Sequence, residues 1–349
     1  MREFTPDYTN IIKAARNIQP ERMPLYEHII SEKVMETIMN KKFSDLYHGD
    51  KNDKEEFFRY YIEFFKTMGY DAVSYECLIG EIMPGSGALG KHKTGIIKCR
   101  EDFEKYPWDE IPDYFFKEYS LNYEILGELM PPGMKAIGGP GNGLFECVQD
   151  IVGYTELCYI SVDDPELYAD LFKEVGKVMY KIWTEFLKRF GSIYCVCRFG
   201  DDLGYKDNTL IPAKDIRNNI IPQYKKIVEL IHSYNKPFLL HSCGKTFDVM
   251  EDLINNVKID AKHSNEDQIA PFSVWIDKYG DRIGNFGGVD TDHLCRKSEL
   301  EIKEKIRDVI AYSIGHGGFA LGSGNSIPEY VPATGYLTMV ETAREIRGE

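Results

Sequence analysis

Long apolar runs are missing from this sequence. No stretch of about 18 uninterrupted apolar residues occurs, which excludes a membrane-crossing helix. Basic blocks are missing as well: 42 Lys and Arg stand against 56 Asp and Glu, a formal charge of −14. Nucleic acids and anionic membranes are held largely by clustered cations, so neither is expected as a partner. The opening MREFTPDYTN lacks the basic-then-apolar layout of a leader peptide. Cysteine is sparse, 8 in 349 residues, which is no disulfide framework. Cys77, Cys195 and Cys197 instead lie in apolar runs that suit buried, reduced thiols. These absences set the expectation of a cytoplasmic protein. The apolar share, 43%, is enough for a sizeable core.

What is present is alternation. Eight short strand-like runs, at 23–26, 72–75, 134–137, 193–199, 237–240, 258–261, 283–289 and 318–321, are separated mostly by helical stretches. Leu171, Val175, Val178, Met179, Ile182 and Phe186 recur at three- and four-residue spacing, which predicts a helix over 167–190. Segments 216–232, 302–314 and 336–346 follow the same period. Strands alternating with helices give βα units and a parallel sheet. Eight such units predict an α/β fold, a (β/α)8 TIM barrel over 23–349, with 1–22 as a helical extension outside it. A doubly wound open sheet is the rival, and it lacks a Gly-rich phosphate loop in the first βα unit.

Barrels of this kind carry their chemistry at the C-terminal strand ends. Phe238-Leu239-Leu240 runs into His241-Ser242-Cys243-Gly244, placing an imidazole and a thiol two residues apart on one side of the chain. Both are ligand types that zinc prefers. A third ligand has to come from another strand end, with Glu27, Glu81, Asp202, His263 and Asp290 as candidates. Of the adjacent Asp201 and Asp202, one is expected to face the mouth and the other to cap the next turn. Asp202, His263 and Glu81 are the candidate acids or further ligands. Glu27, Asp201, Asp290, Ser323 and Asn325 are expected to contact substrate.

The His241-Ser242-Cys243-Gly244 segment, Gly287-Gly288-Val289-Asp290 and Leu321-Gly322-Ser323-Gly324-Asn325-Ser326-Ile327-Pro328 together resemble the uroporphyrinogen decarboxylase superfamily. The likeness is to its corrinoid-dependent methyltransferase branch, the O-demethylases and cobamide methyltransferases, from about Pro20 onward. It implies a (β/α)8 barrel and zinc held by a His-x-Cys pair plus a later cysteine. His241 and Cys243 match the pair, while the later position falls around Ser323, where no cysteine stands. The decarboxylases' arginine-rich motif is replaced here by Arg22-Met23-Pro24-Leu25-Tyr26-Glu27-His28, which disfavours porphyrin decarboxylation. The resemblance therefore implies methyl transfer from a methyl ether to the cobalt of a corrinoid carried by a partner protein. A homodimer is compatible with it. A decarboxylase or thiol methyltransferase on the same scaffold, or a non-catalytic corrinoid- or metabolite-binding barrel, are the alternatives.

Overall fold

The computed structural model describes residues 4–91 and 93–349; residues 1–3 of the expected extension lie outside the described residues. Seven parallel strands form one sheet in chain order: β1 (Ala72–Leu78), β2 (Lys135–Gly141), β3 (Tyr194–Gly200), β4 (Phe238–His241), β5 (Ala261–His263), β6 (Gly284–Val289) and β7 (Phe319–Ser323). Seven of the eight expected runs are thus strands. The β5 run lies further along than expected, because Lys258 ends the preceding helix in a left-handed conformation.

The eighth expected strand, 23–26, is the correction to the closed barrel. Only Leu25 makes a ladder contact, a parallel bridge to Leu321. Tyr26 N–H donates to the Leu321 carbonyl (2.9 Å) and Leu321 N–H to the Pro24 carbonyl (3.0 Å). Towards β1 the segment is tied through side chains and not through a ladder: Ser74 Oγ donates to the His28 carbonyl at 2.6 Å, and His28 Nε2 lies 3.8 Å from the Glu76 carboxylate. Pro24 has no N–H to extend a ladder. The result is a curled, TIM-barrel-like sheet left open between β1 and β7, with the 24–28 segment lying across the gap.

Two apolar layers hold it. Large side chains fill the layer between sheet and helices, and the helix Pro165–Phe190 buries Leu171, Val175, Val178, Met179, Ile182 and Phe186 there. Its cap is Asp164, which accepts the Leu167 N–H at 2.8 Å. Inside the curl the residues are smaller: Ala72, Ala261 and Ala320 pack with Ile137, Leu239 and Phe286. Helix Thr9–Ala15, expected outside the barrel, instead inserts Ile11, Ala14 and Ala15 into this inner layer. Its neighbours there, Ala72, Ala261 and Gly284, begin their strands, so the helix closes the floor and leaves the opposite end as the mouth. No helix among the described residues is long and apolar enough to cross a membrane.

Candidate active site at the mouth

Parallel register carries the functional residues to one level. Gly200 pairs with His241, and His241 with His263, so the ends of β3, β4 and β5 stand side by side. The loops beyond β3 and β4 then close together through two glycines. A Cβ on Gly244, which has φ +79°, would lie 2.1 Å from the Gly204 carbonyl carbon, so only glycine lets these backbones touch. That contact sets Asp202 beside Cys243, whose N–H donates to Asp202 Oδ1 at 2.9 Å.

His241 is the centre of the arrangement. Its Nδ1 lies 2.7 Å from His263 Nδ1, and His263 Nε2 lies 3.0 Å from the Ser323 carbonyl. A carbonyl only accepts, so His263 Nε2 carries the proton. Burial holds His263 neutral, with its pKa lowered to about 3. Its Nδ1 is then an acceptor, and His241 Nδ1 must be the donor. The His241 Nε2 lone pair consequently points outward, 3.4 Å from Cys243 Sγ and 3.9 Å from Asp202 Oδ1. His28 stacks flat on the His241 ring at 3.7 Å and 10°, fixing its plane.

Among the described residues two groups of three potential metal ligands result, His28 with His241 and His263, and Asp202 with His241 and Cys243, each within 4.8 Å. In the first group both His263 nitrogens are already engaged in the hydrogen-bonded chain. The second group is free to bind. Tetrahedral zinc with ligands at about 2.0–2.3 Å needs donors roughly 3.3–3.8 Å apart, close to the separations found. Burial and the Asp202 carboxylate push the Cys243 thiol up, so it needs a nearby cation to ionise. An imidazole lone pair, a thiol and a carboxylate facing one another fit a borderline-soft divalent ion. The orienting bond from His241 Nδ1 is the usual support of such a ligand.

The other expected residues separate into distinct places. Asn325 Nδ2 donates to Cys243 Sγ at 3.3 Å and belongs to the cluster. Glu27 and Ser323 form a buried pair below it; Ser323 N–H donates to Glu27 at 2.8 Å, and burial lifts the Glu27 carboxyl to about 8. Asp201, expected to contact substrate, is turned away to cap the helix Leu144–Val152. It accepts the Phe145 and Glu146 N–H groups at 2.9 and 2.8 Å and the Tyr224 hydroxyl, and is fully buried. Asp290 likewise caps the helix Thr291–Arg296 through Asp292 N–H (2.8 Å) and takes Asp267 N–H (2.7 Å). Glu81 lies across the mouth on a separate cleft, where its carboxylate accepts the Tyr119 hydroxyl at 3.1 Å.

Sequence reasoning missed three groups. Arg198, within a strand of apolar residues, has a fully buried guanidinium that donates to Glu76 (2.8 and 3.1 Å), Ser74 (2.7 Å) and Tyr26 (3.1 Å). An arginine inside a core strand was the available signal, since such a charge is buried only when paired. Glu146, in the first turn of its helix, is half-buried beside Asp201 and Asp202, and desolvation together with those two carboxylates raises its pKa. Lys262 is buried over the Trp275 ring, and its ammonium donates to the Ser264 carbonyl at 2.6 Å, bracing the loop beyond β5.

No protein-family model matches this sequence, and none of the curated proteins matches it. Solved structures do. A methyltransferase from Methanosarcina mazei superposes with a TM-score of 0.74 at 15% identity, covering 99% of this chain and 99% of its own. A putative vitamin-B12-independent methionine synthase from Listeria monocytogenes gives a TM-score of 0.52 at 12% identity, covering 94% of this chain and 100% of its own. At such identities the likeness is one of fold, and it runs the length of the chain.

Proposed function

We propose that this chain is a methyltransferase, moving a methyl group from a small donor, a methyl ether or a similar methylated compound, to the cobalt of a corrinoid carried by a partner protein. The observation that carries the reading is the convergence of Asp202, His241 and Cys243, with the His241 Nε2 lone pair directed at the other two. These three residues would hold zinc, in place of the His-x-Cys-plus-cysteine set that the family resemblance implies. When bound, the ion supplies Lewis acidity to an oxygen or sulfur atom that the donor molecule carries.

The chain's own groups divide the remaining tasks. His263 positions His241 and, with both nitrogens engaged, is a poor candidate for the acid. Asn325 steers Cys243 Sγ. Asp202 keeps 41% of its side chain exposed, so it is the ligand that an incoming molecule meets first. Glu81 acts from the cleft across the mouth. The fold shared with a methyltransferase supports the same reading.

The test is metal analysis of protein purified without chelator, followed by incubation with reduced cobalamin and a panel of methylated ethers, amines and thiols. About one zinc per chain, as expected of such a site, and the absorbance of methylcobalamin are the expected results. A metal-free chain with no turnover on any donor would overturn the proposal.

A further inference from the structure

Beside the cluster, separated from it by His28, lies a cleft of about 210 Å³. Drug-sized sites occupy roughly 300–1,000 Å³, so this one suits a molecule of few heavy atoms. Tyr47, Phe57, Tyr75 and Tyr119 form much of its wall. The three tyrosine hydroxyls are already committed. Those of Tyr47 and Tyr75 lie 3.1 Å apart, Asn122 Nδ2 donates to both at 3.0 and 3.2 Å, and Tyr119 donates to Glu81. The walls therefore offer an occupant ring surface in place of free donors.

Charge on the lining is one-sided. Glu32, Glu76 and Glu81 reach the cleft, and among the described residues Arg198 is the only lysine or arginine on it. That guanidinium is spent on Glu76 at 2.8 Å. Two carboxylates, Glu32 and Glu81, have no basic partner among the described residues and stand in an aromatic setting. An anionic occupant is repelled there, and a neutral ether gains nothing from the carboxylates. A cation gains from both the carboxylates and the rings.

We infer that this cleft receives a small organic cation, a quaternary ammonium compound, as the methyl donor. The donor's role rests on the transferase reading above; its binding does not. In the transfer, the C–N bond breaks with its electron pair left on nitrogen, and the amine departs neutral without needing a proton. The Co(I) corrinoid of the partner supplies the electron pair of the new carbon–cobalt bond. Choosing an ammonium donor thus removes the demand for a strong acid that an alkoxide leaving group imposes.

Calorimetric titration with choline, its neutral carbon isostere dimethylbutanol, and anisole tests this directly. Choline is expected to bind at least about tenfold more tightly than either neutral compound. Glu81→Gln and Glu32→Gln should each weaken choline by about three- to tenfold and leave dimethylbutanol unchanged, with choline binding also weakened by added salt. Glu81 is exposed, so its variant retains the fold, as circular dichroism would verify. Equal binding of choline and dimethylbutanol, a preference for anisole, or indifference of choline to both variants would overturn the inference. The titration uses neither metal nor corrinoid. Choline binding without any methyl transfer would sink the transferase reading and the donor role with it, leaving the binding claim standing, whereas transfer from anisole without choline binding would sink this inference alone.

Discussion

On the β3–β5 side of the mouth, backbone geometry brings the functional residues together. Strand register sets His241 against His263, the Gly204–Gly244 contact joins two loops, and a main-chain amide holds Asp202. On the β1 side, Tyr47 from the turn Ser44–His48, Phe57 from the helix Lys51–Met68 and Tyr119 from the helix Ile111–Leu129 stand over the strand, and hydroxyl bonds tie Tyr47 to Tyr75 of the strand and Tyr119 to Glu81 just beyond it. The first construction brings unlike donor atoms within reach of one ion. The second leaves a small space with walls of one character. Strand ends set angles, whereas helices laid over them set a boundary, and this mouth uses one device for each task. The partition between them is His28 backed by the Arg198–Glu76 pair.

The strongest way to break the comparison is to remove the centre of the first side. In His241→Ala, zinc measured by plasma mass spectrometry should fall to near none, and methyl transfer should drop by at least about a hundredfold. His263→Leu deletes no ligand, yet should weaken zinc by about 10–100-fold by freeing the His241 ring. A zinc affinity untouched by His263→Leu would show that the histidine chain does not orient the site.

The partition comes next. Arg198→Met leaves Glu76 buried without its partner, and urea unfolding should show a loss of about 3–5 kcal/mol. Adding Glu76→Gln should restore most of it, because a neutral amide no longer requires a counter-charge. If the double variant is no more stable than the single one, packing and not charge holds the two sides apart.

Glu27 supplies a smaller, pH-dependent test beneath the cluster. Its folded pKa, about 8, lies above the ordinary 4.5, because burial outweighs the Ser323 hydrogen bonds. Between those values the folded chain keeps a proton that the unfolded chain releases. This stabilisation is therefore full below pH 4.5 and lost as pH rises through 8. The slope is up to about 1.4 kcal/mol per pH unit. Denaturation midpoints followed across that range should show the decline, and Glu27→Gln should flatten it. The smallest effect belongs to Asp201→Ala, a lost helix cap worth about 1–2 kcal/mol. Its zinc affinity should move far less than in His263→Leu, which would separate capping from chemistry at two adjacent aspartates.

Much of this was legible before folding. Apolar runs bounded by polar residues marked seven strands, and three- and four-residue spacing marked the long helices, because burial imposes those periods. His241 and Cys243 stood out because a strand end and a glycine follow directly from local sequence. The role of Asp201 was not legible as distinct from that of Asp202. Adjacent carboxylates look alike until the helix Leu144–Val152 presents its amides to only one of them. The cleft was equally hidden, since its aromatic wall draws on residues from 47 to 119 that share no spacing.

The sequence by itself determined the elements, their parallel order and the ends at which polar groups would gather, since each follows from side-chain periodicity and turn chemistry over a few residues. Only the tertiary structure decided that 24–28 would lie across an open sheet instead of completing a barrel, that Thr9–Ala15 would close its floor, and that Asp202 would meet His241 and Cys243. Those outcomes depend on contacts between segments tens to hundreds of residues apart, and no local pattern encodes the distance between two strand ends.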